Sequence, residues 1–128
     1  MAKYLSQEWL DRQCELGRDL PRDAGASAVV QHVVTGGPDG DVRYVLTVED
    51  GIVTTAVLGT DADADVTLTT PYAESVSILQ GELDANAAFM QGRVKVVGDM
   101  GRLLPLMVLG RTTEHARVRA ALAAETDL

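Results

Sequence analysis

The side chains able to do chemistry are few, and none stands at the spacing that chemistry requires. Asp61, Asp63 and Asp65 alternate like the opening of a calcium loop. The sixth position of such a loop is here Val66, where glycine must turn the chain, and the twelfth is Tyr72, where a bidentate glutamate must close the shell. They read as carboxylates on an exposed turn. His32 and His115 are the only histidines, and neither has a cysteine or histidine at zinc spacing. His32 falls mid-strand, where a base would need a nucleophile or substrate group beside it; a sheet-surface or hydrogen-bonded histidine is the plainer reading. His115 falls at a helix start. Cys14 has no neighbour that would obviously lower its pKa. Gly36, Gly37 and Gly40 lack the order of a dinucleotide loop and join two strands, so they form a hairpin turn. No catalytic residue, metal ligand or cofactor is expected.

Composition narrows the remaining classes. The chain has 128 residues, enough for one domain over 1–128 with a real core. Hydrophobic residues are 46% of it but aromatics only 4%, so the core must be aliphatic. A net charge of -8 argues against nucleic acid as a partner and against strong docking on anionic membranes. The one local basic cluster, Arg111, Arg117 and Arg119, reads as solvated helix arginines. A lone Cys14 excludes an intramolecular disulfide and favours a reducing compartment. Met1 to Leu5 lacks the apolar run of a signal peptide, and the longest apolar run, Leu103 to Leu109, is too short to span a bilayer. A soluble, cytoplasmic protein is expected.

The elements follow from punctuation and period. Ser6 caps a first helix, with Leu5 stapled on Leu10 and Gly17 as the stop. Arg18 to Ala26 is a connector. Ser27 to Thr35, Asp41 to Glu49 and Ile52 to Leu58 form a three-strand antiparallel meander, its second hairpin turned by Asp50-Gly51. A fourth strand, Val66 to Thr69, leads to a helix capped by Thr70 with Pro71 in its first position. That helix carries Tyr72, Val76 and Leu79 on one face and stops at Gly81. Asp84 caps a short helix bearing Phe89 and Met90 before Gly92. Val94 and Val96 alternate with Arg93 and Lys95 in a fifth strand. Gly98 turns the chain and Asp99 caps the next helix. Thr113 caps a last helix, Glu114 to Ala124, and the final residues fray.

The helix after Asp99 carries the most weight. Met100, Leu103, Leu104 and Met107 fall at i, i+3, i+4 and i+7, while Leu106, Val108 and Leu109 make the other side apolar too. Such a helix should be buried on both sides, as a layer in a sandwich, a subunit contact or a cavity wall. Pro105 should bend or break it. Met90, Met100 and Met107 add adaptable surface suited to an irregular ligand.

Three stretches, Gly81-Glu82-Leu83-Asp84, Ala88-Phe89-Met90-Gln91-Gly92-Arg93-Val94-Lys95-Val96 and Gly98-Asp99-Met100, closely resemble the sterol carrier protein 2 family. The strand Asp65 to Thr69 leading into a helix is similar to the family as well, and the match runs from Asp63 to Leu109. The resemblance implies an α+β fold: a five-stranded, mostly antiparallel sheet covered on one side by helices, with an apolar tunnel that binds acyl chains, sterols or similar lipids. Members of the family are usually non-enzymatic carriers or modules fused to enzymes. This chain departs from the pattern in having Pro105, and its ending, Thr126-Asp127-Leu128, is not the peroxisomal Ser-Lys-Leu. Lysine occurs only at Lys3 and Lys95 amid abundant Ala, Val, Asp and Arg, a GC-rich bacterial bias that weighs against sterol itself.

The function expected is therefore non-enzymatic binding or transfer of a fatty acid, acyl thioester, phospholipid or sterol-like lipid. The expected wall is Tyr72, Val76, Leu79, Phe89, Met90, Met100, Leu103, Leu104 and Met107, with Tyr72 or Gln91 holding a polar head. The expected partner is a hydrophobic small molecule; transient contact with a membrane or a lipid enzyme, and a homodimer, stay open. Two rivals also stay open. One is a small enzyme acting on an apolar substrate, which a pocket holding a strongly shifted titratable group would favour. The other is a dimerisation or accessory module.

Overall fold

The computed structural model describes residues 2–109 and 112–128; Arg111, one of the three arginines of the basic cluster, lies outside them. The elements in order are β1 (Ala2–Lys3), α1 (Gln7–Gly17), β2 (Ala28–Gly37), β3 (Gly40–Glu49), β4 (Ile52–Leu58), β5 (Val66–Pro71), α2 (Tyr72–Leu79), α3 (Ala85–Met90), β6 (Lys95–Gly98), α4 (Met100–Leu109), α5 (Thr113–Ala124) and β7 (Thr126–Asp127). Five strands form one sheet in the order β4-β3-β2-β5-β6. All neighbours run antiparallel except β2 and β5, so the sheet is α+β and mostly antiparallel, as expected.

Local chemistry explains most boundaries. Ser6 caps α1 by accepting from the Trp9 amide at 3.2 Å, and Leu5 and Leu10 share the main core cluster. Asp50 (φ 52°) and Gly51 (φ 82°) both take the left-handed region, as a two-residue hairpin turn demands. Asp84 accepts from the Asn86 amide at the start of α3, and Asp99 accepts from Arg102 N at the start of α4. Gly98 is required for a different reason. A Cβ there would stand 2.5 Å from the Asp65 carbonyl oxygen, where β6 ends against β5.

Several boundaries and faces differ from expectation. Thr70 does not cap α2; it is buried in β5 opposite Val34, because the proline that follows disfavours a helical conformation at Thr70. Pro71 is the cap residue and makes no side-chain cap bond. Thr112, not Thr113, caps α5, accepting from the His115 amide at 3.3 Å. β6 starts at Lys95 rather than Arg93. The final residues do not fray: β7 pairs in parallel with β1, and the buried Thr126 hydroxyl accepts from Trp9 Nε1 at 3.0 Å. α4 runs unbroken through Pro105, which in so short a helix forfeits one ladder bond, to Gly101. Nor is α4 covered on both sides. Leu103 is buried, but Val108 is 68% exposed and Leu104 51%.

Strand alternation gives the sheet two faces. Val30, His32 and Val34 of β2 point to the helices, as do their neighbours Leu46 and Tyr44 of β3 and Leu68 of β5. Gln31 points the other way, under the loop that carries the chain from β4 past β3 and β2 to β5. Its buried amide holds that loop: Nε2 donates to Gly59 O and Tyr44 O at 3.1 Å, and Oε1 accepts from Asp61 N at 2.8 Å. Asp65, at the loop's end, accepts from Val29 N at 2.8 Å. Two of the three aspartates thus have structural work. Gln31→Leu strips the loop of its anchor and leaves the Asp61 amide and Gly59 carbonyl without partners. Denaturant unfolding is expected to show a loss of about 2 kcal/mol; a change below about 0.5 kcal/mol would mean the loop does not depend on this side chain.

Candidate functional site

Between the inner face of the sheet and the helices lies a hollow of about 370 Å³. That volume falls in the range of small-molecule sites. The sheet supplies His32, Val34, Tyr44, Leu68 and Val96; α1 supplies Trp9 and Gln13; α2 supplies Ser75, Ile78 and Leu79. Phe89 of α3, Leu103 and Met107 of α4, and Val118 and Leu122 of α5 complete the apolar wall. A bond from Asn86 Nδ2 to the Met107 carbonyl at 3.3 Å ties α3 to α4 across one side.

Of the ten residues expected at the site, Leu79, Phe89, Leu103 and Met107 line the hollow. The rest lie elsewhere, mostly because a helix face is turned by one residue. On α2 the lining side chains are Ser75, Ile78 and Leu79, while Val76 and Tyr72 pack into the main core, Tyr72 against Tyr4 at 5.9 Å. On α3 Phe89 points in, and Met90, about 100° further round, is 84% exposed. Gln91 follows it outward to the surface. On α4 Leu104 bears the same relation to Leu103. Met100 packs against a second core cluster under Leu103.

The sequence reading missed the wall's N-terminal half, above all Trp9, Gln13, His32 and Tyr44. The i, i+4 spacing of Trp9 and Gln13, and the alternation around His32 and Tyr44, were the available signals. Trp9 sits edge-on to Tyr4 at 4.9 Å and to Tyr44 at 6.4 Å, and all three line the hollow. His32 stacks flat on Tyr44, ring centres 4.7 Å apart and planes 3° from parallel. The surface His32 retains faces the hollow rather than bulk water, and this desolvation pushes its pKa down to about 4. The same burial drives the Tyr44 hydroxyl pKa up, so both rings are neutral at pH 7.

Several polar groups on the wall are spoken for. Ser75 Oγ donates to Tyr72 O at 2.7 Å, and His115 Nδ1 lies 2.8 Å from Thr112 Oγ1. Among the described residues, no three metal-ligating side chains converge, and no helix is long and apolar enough to cross a membrane. Arg119, read from sequence as solvated, stands on the hollow's wall.

Comparison with known proteins places this geometry. The model of the family described as the SCP-2 sterol transfer family matches residues 10–109. The sterol carrier protein 2 of Gallus gallus is 31% identical over 77 residues, covering 59% of this chain but 14% of that protein's length. Among solved structures, a conserved hypothetical protein of Thermus thermophilus, described as possibly a sterol carrier protein, superposes with a TM-score of 0.76 at 19% identity, over 96% of this chain and 92% of that one. A palmitated sterol carrier protein 2-like protein of Aedes aegypti gives 0.64 at 18% identity, over 84% and 92%. At these identities the two structures speak to the fold.

Proposed function

We propose, because this chain belongs to the SCP-2 sterol transfer family, that it binds and carries one long-chain lipid in the hollow between sheet and helices. The observation that carries the reading is the hollow itself: about 370 Å³, walled mainly by apolar side chains from the sheet and from all five helices. Each methylene moved from water into it contributes about 0.8 kcal/mol. A ligand needs no covalent or metal anchor to be held. The Aedes aegypti relative of the same fold is described as palmitated, which supports an acyl chain as the ligand. The experiment is displacement of a fluorescent fatty-acid probe. Binding is expected at micromolar concentration, roughly 8 kcal/mol, and saturable. Met107→Trp, which fills the hollow from α4, is expected to weaken it tenfold or more. No saturable binding of fatty acid, acyl thioester, phospholipid or sterol would end this reading.

One observation favours a second reading, an enzyme. His32 is a strongly shifted titratable group on a pocket wall. Its shift comes from desolvation alone, without a charge partner, and no hydrogen bond from a nucleophile reaches its ring among the described residues. A base of pKa near 4 is far from the optimum for proton transfer at pH 7. Carriage is therefore the reading we adopt. The expected result is no turnover of an acyl ester or thioester by the purified protein; turnover abolished by His32→Phe would establish the enzyme instead.

A further inference from the structure

We infer that the lipid held in the hollow carries a hydroxyl on its chain, away from its head group, received on the sheet wall by His32, Tyr44 and Thr70; this rests on reading the hollow as a lipid site. Register brings the three together. β2 pairs His32 with Tyr44 of β3 on one side and Val34 with Thr70 of β5 on the other. Thr70 therefore stands one diagonal step from His32, on the same face of the sheet. All three side chains line the hollow, on the three middle strands.

Each presents a polar atom without a protein partner. The side-chain bonds that reach His32 and Tyr44 end on their main-chain carbonyls, and none involves the imidazole, the phenol or the Thr70 hydroxyl among the described residues. Tyr44 is 8% exposed and Thr70 9%. The sealed polar atom left unpaired among the described residues is Gln13 Oε1. The free atoms of the three thus keep some surface, and that surface opens on the hollow. Ser75 and Asn86, also on the wall, have spent side-chain hydrogens on carbonyls of α2 and α4.

The chemistry of the set selects its ligand. Burial keeps the imidazole and the phenol neutral at pH 7, so this part of the wall has no charge to offer an ion. A neutral imidazole has one donor and one acceptor, and each hydroxyl is both. A ligand hydroxyl answers them with a donor and an acceptor of its own. A bare methylene chain laid against them strips their water and returns no hydrogen bond. Position assigns the hydroxyl to the chain. Tyr44 and Val34 belong to the main core cluster with the buried Trp9 and Leu79, where a charged head would forfeit its water. At the other end of β2 and β5, Leu103 packs with Val30 and Val66, and Met107 packs against them. That end is left for the unsubstituted part of the chain.

The test compares hexadecanoate with hydroxyhexadecanoates in which the hydroxyl is moved along the chain, from the carbon beside the carboxylate to the terminal carbon. Each displaces a neutral fluorescent alkyl probe at pH 7. The wild type is expected to bind at least one isomer tenfold or more tighter than hexadecanoate, because a site built for a hydroxyl penalises the ligand that lacks it. Tyr44→Phe with Thr70→Val keeps the shapes and removes both hydroxyls. It is expected to bring the ratio within about twofold of one and to bind hexadecanoate severalfold tighter, a gain that damage to the fold would not produce. If the double variant does not fold, either single change carries the test, with the ratio expected to fall at least threefold. Equal binding of hexadecanoate and every isomer by the wild type, or a preference that survives the substitutions, overturns the chain hydroxyl and leaves lipid carriage standing. Failure of every ligand to bind overturns lipid carriage itself.

Discussion

Acidification from pH 7 to pH 4 is expected to cost the ligand-free protein about 3 kcal/mol through His32 alone. The folded ring has a pKa of about 4, against 6.5 for the ordinary side chain, because burial between sheet and hollow disfavours the cation. Between those values the unfolded chain holds a proton that the folded chain refuses. Stability is therefore full above about 6.5, declines as the pH falls through 4, and levels off once the folded ring is protonated too. His32→Phe keeps a flat ring against Tyr44 and removes the titration. Denaturant unfolding of both proteins across this range isolates the histidine, since every carboxylate is common to the two. The difference between them should grow by about 3 kcal/mol between pH 7 and pH 4. Parallel pH profiles would show that water or a movement of the wall solvates the ring.

Truncation at Leu10 and at Met107 should differ severalfold. Leu10 has 0% exposure and points from α1 into the main core. Leu10→Ala leaves a closed void, and a loss of about 4 kcal/mol is expected, in the upper part of the range for buried leucine. Met107 already borders empty space. Its truncation gives up few protein contacts, so ligand-stripped Met107→Ala should lose about 1 kcal/mol, below that range. Ligand preference should move the opposite way. Met107→Ala widens the hollow and favours bulkier chains, while Leu10→Ala leaves the chain-length profile alone. Denaturant unfolding beside a chain-length binding series reads both. A large stability loss at Met107 with an unchanged profile would return α4 to ordinary core.

What the sequence revealed was what neighbouring residues decide among themselves. The Asp50-Gly51 hairpin, the Ser6, Asp84 and Asp99 caps and the stop at Gly81 each rest on backbone preferences within a few positions, and each stands where it was read. Family motifs in the second half supplied the architecture. The site was less legible because its walls meet through long-range register. His32 and Tyr44 face the hollow together only because β2 and β3 pair them, and Trp9 reaches Thr126 across 117 positions. Periodicity on α2, α3 and α4 gave the apolar stripe but not its rotation, so Val76, Met90 and Leu104 were read as facing where Ser75, Phe89 and Leu103 do. Nor does an apolar residue announce whether anything covers it: Val108 is as hydrophobic in sequence as if it were buried.

The most direct measurement places the ligand by its methionine neighbours. With the methyl groups of Met90, Met100 and Met107 carbon-13 labelled, an alkyl-chain ligand is added and nuclear Overhauser contacts to the chain are recorded. Met107 lines the hollow, and Met90, on the adjacent helix, is 84% exposed. A ligand carried inside gives contacts and a shift at Met107 and leaves Met90 unmoved. Contacts at Met90 with Met107 unchanged would put the chain on the surface and contradict carriage within the hollow.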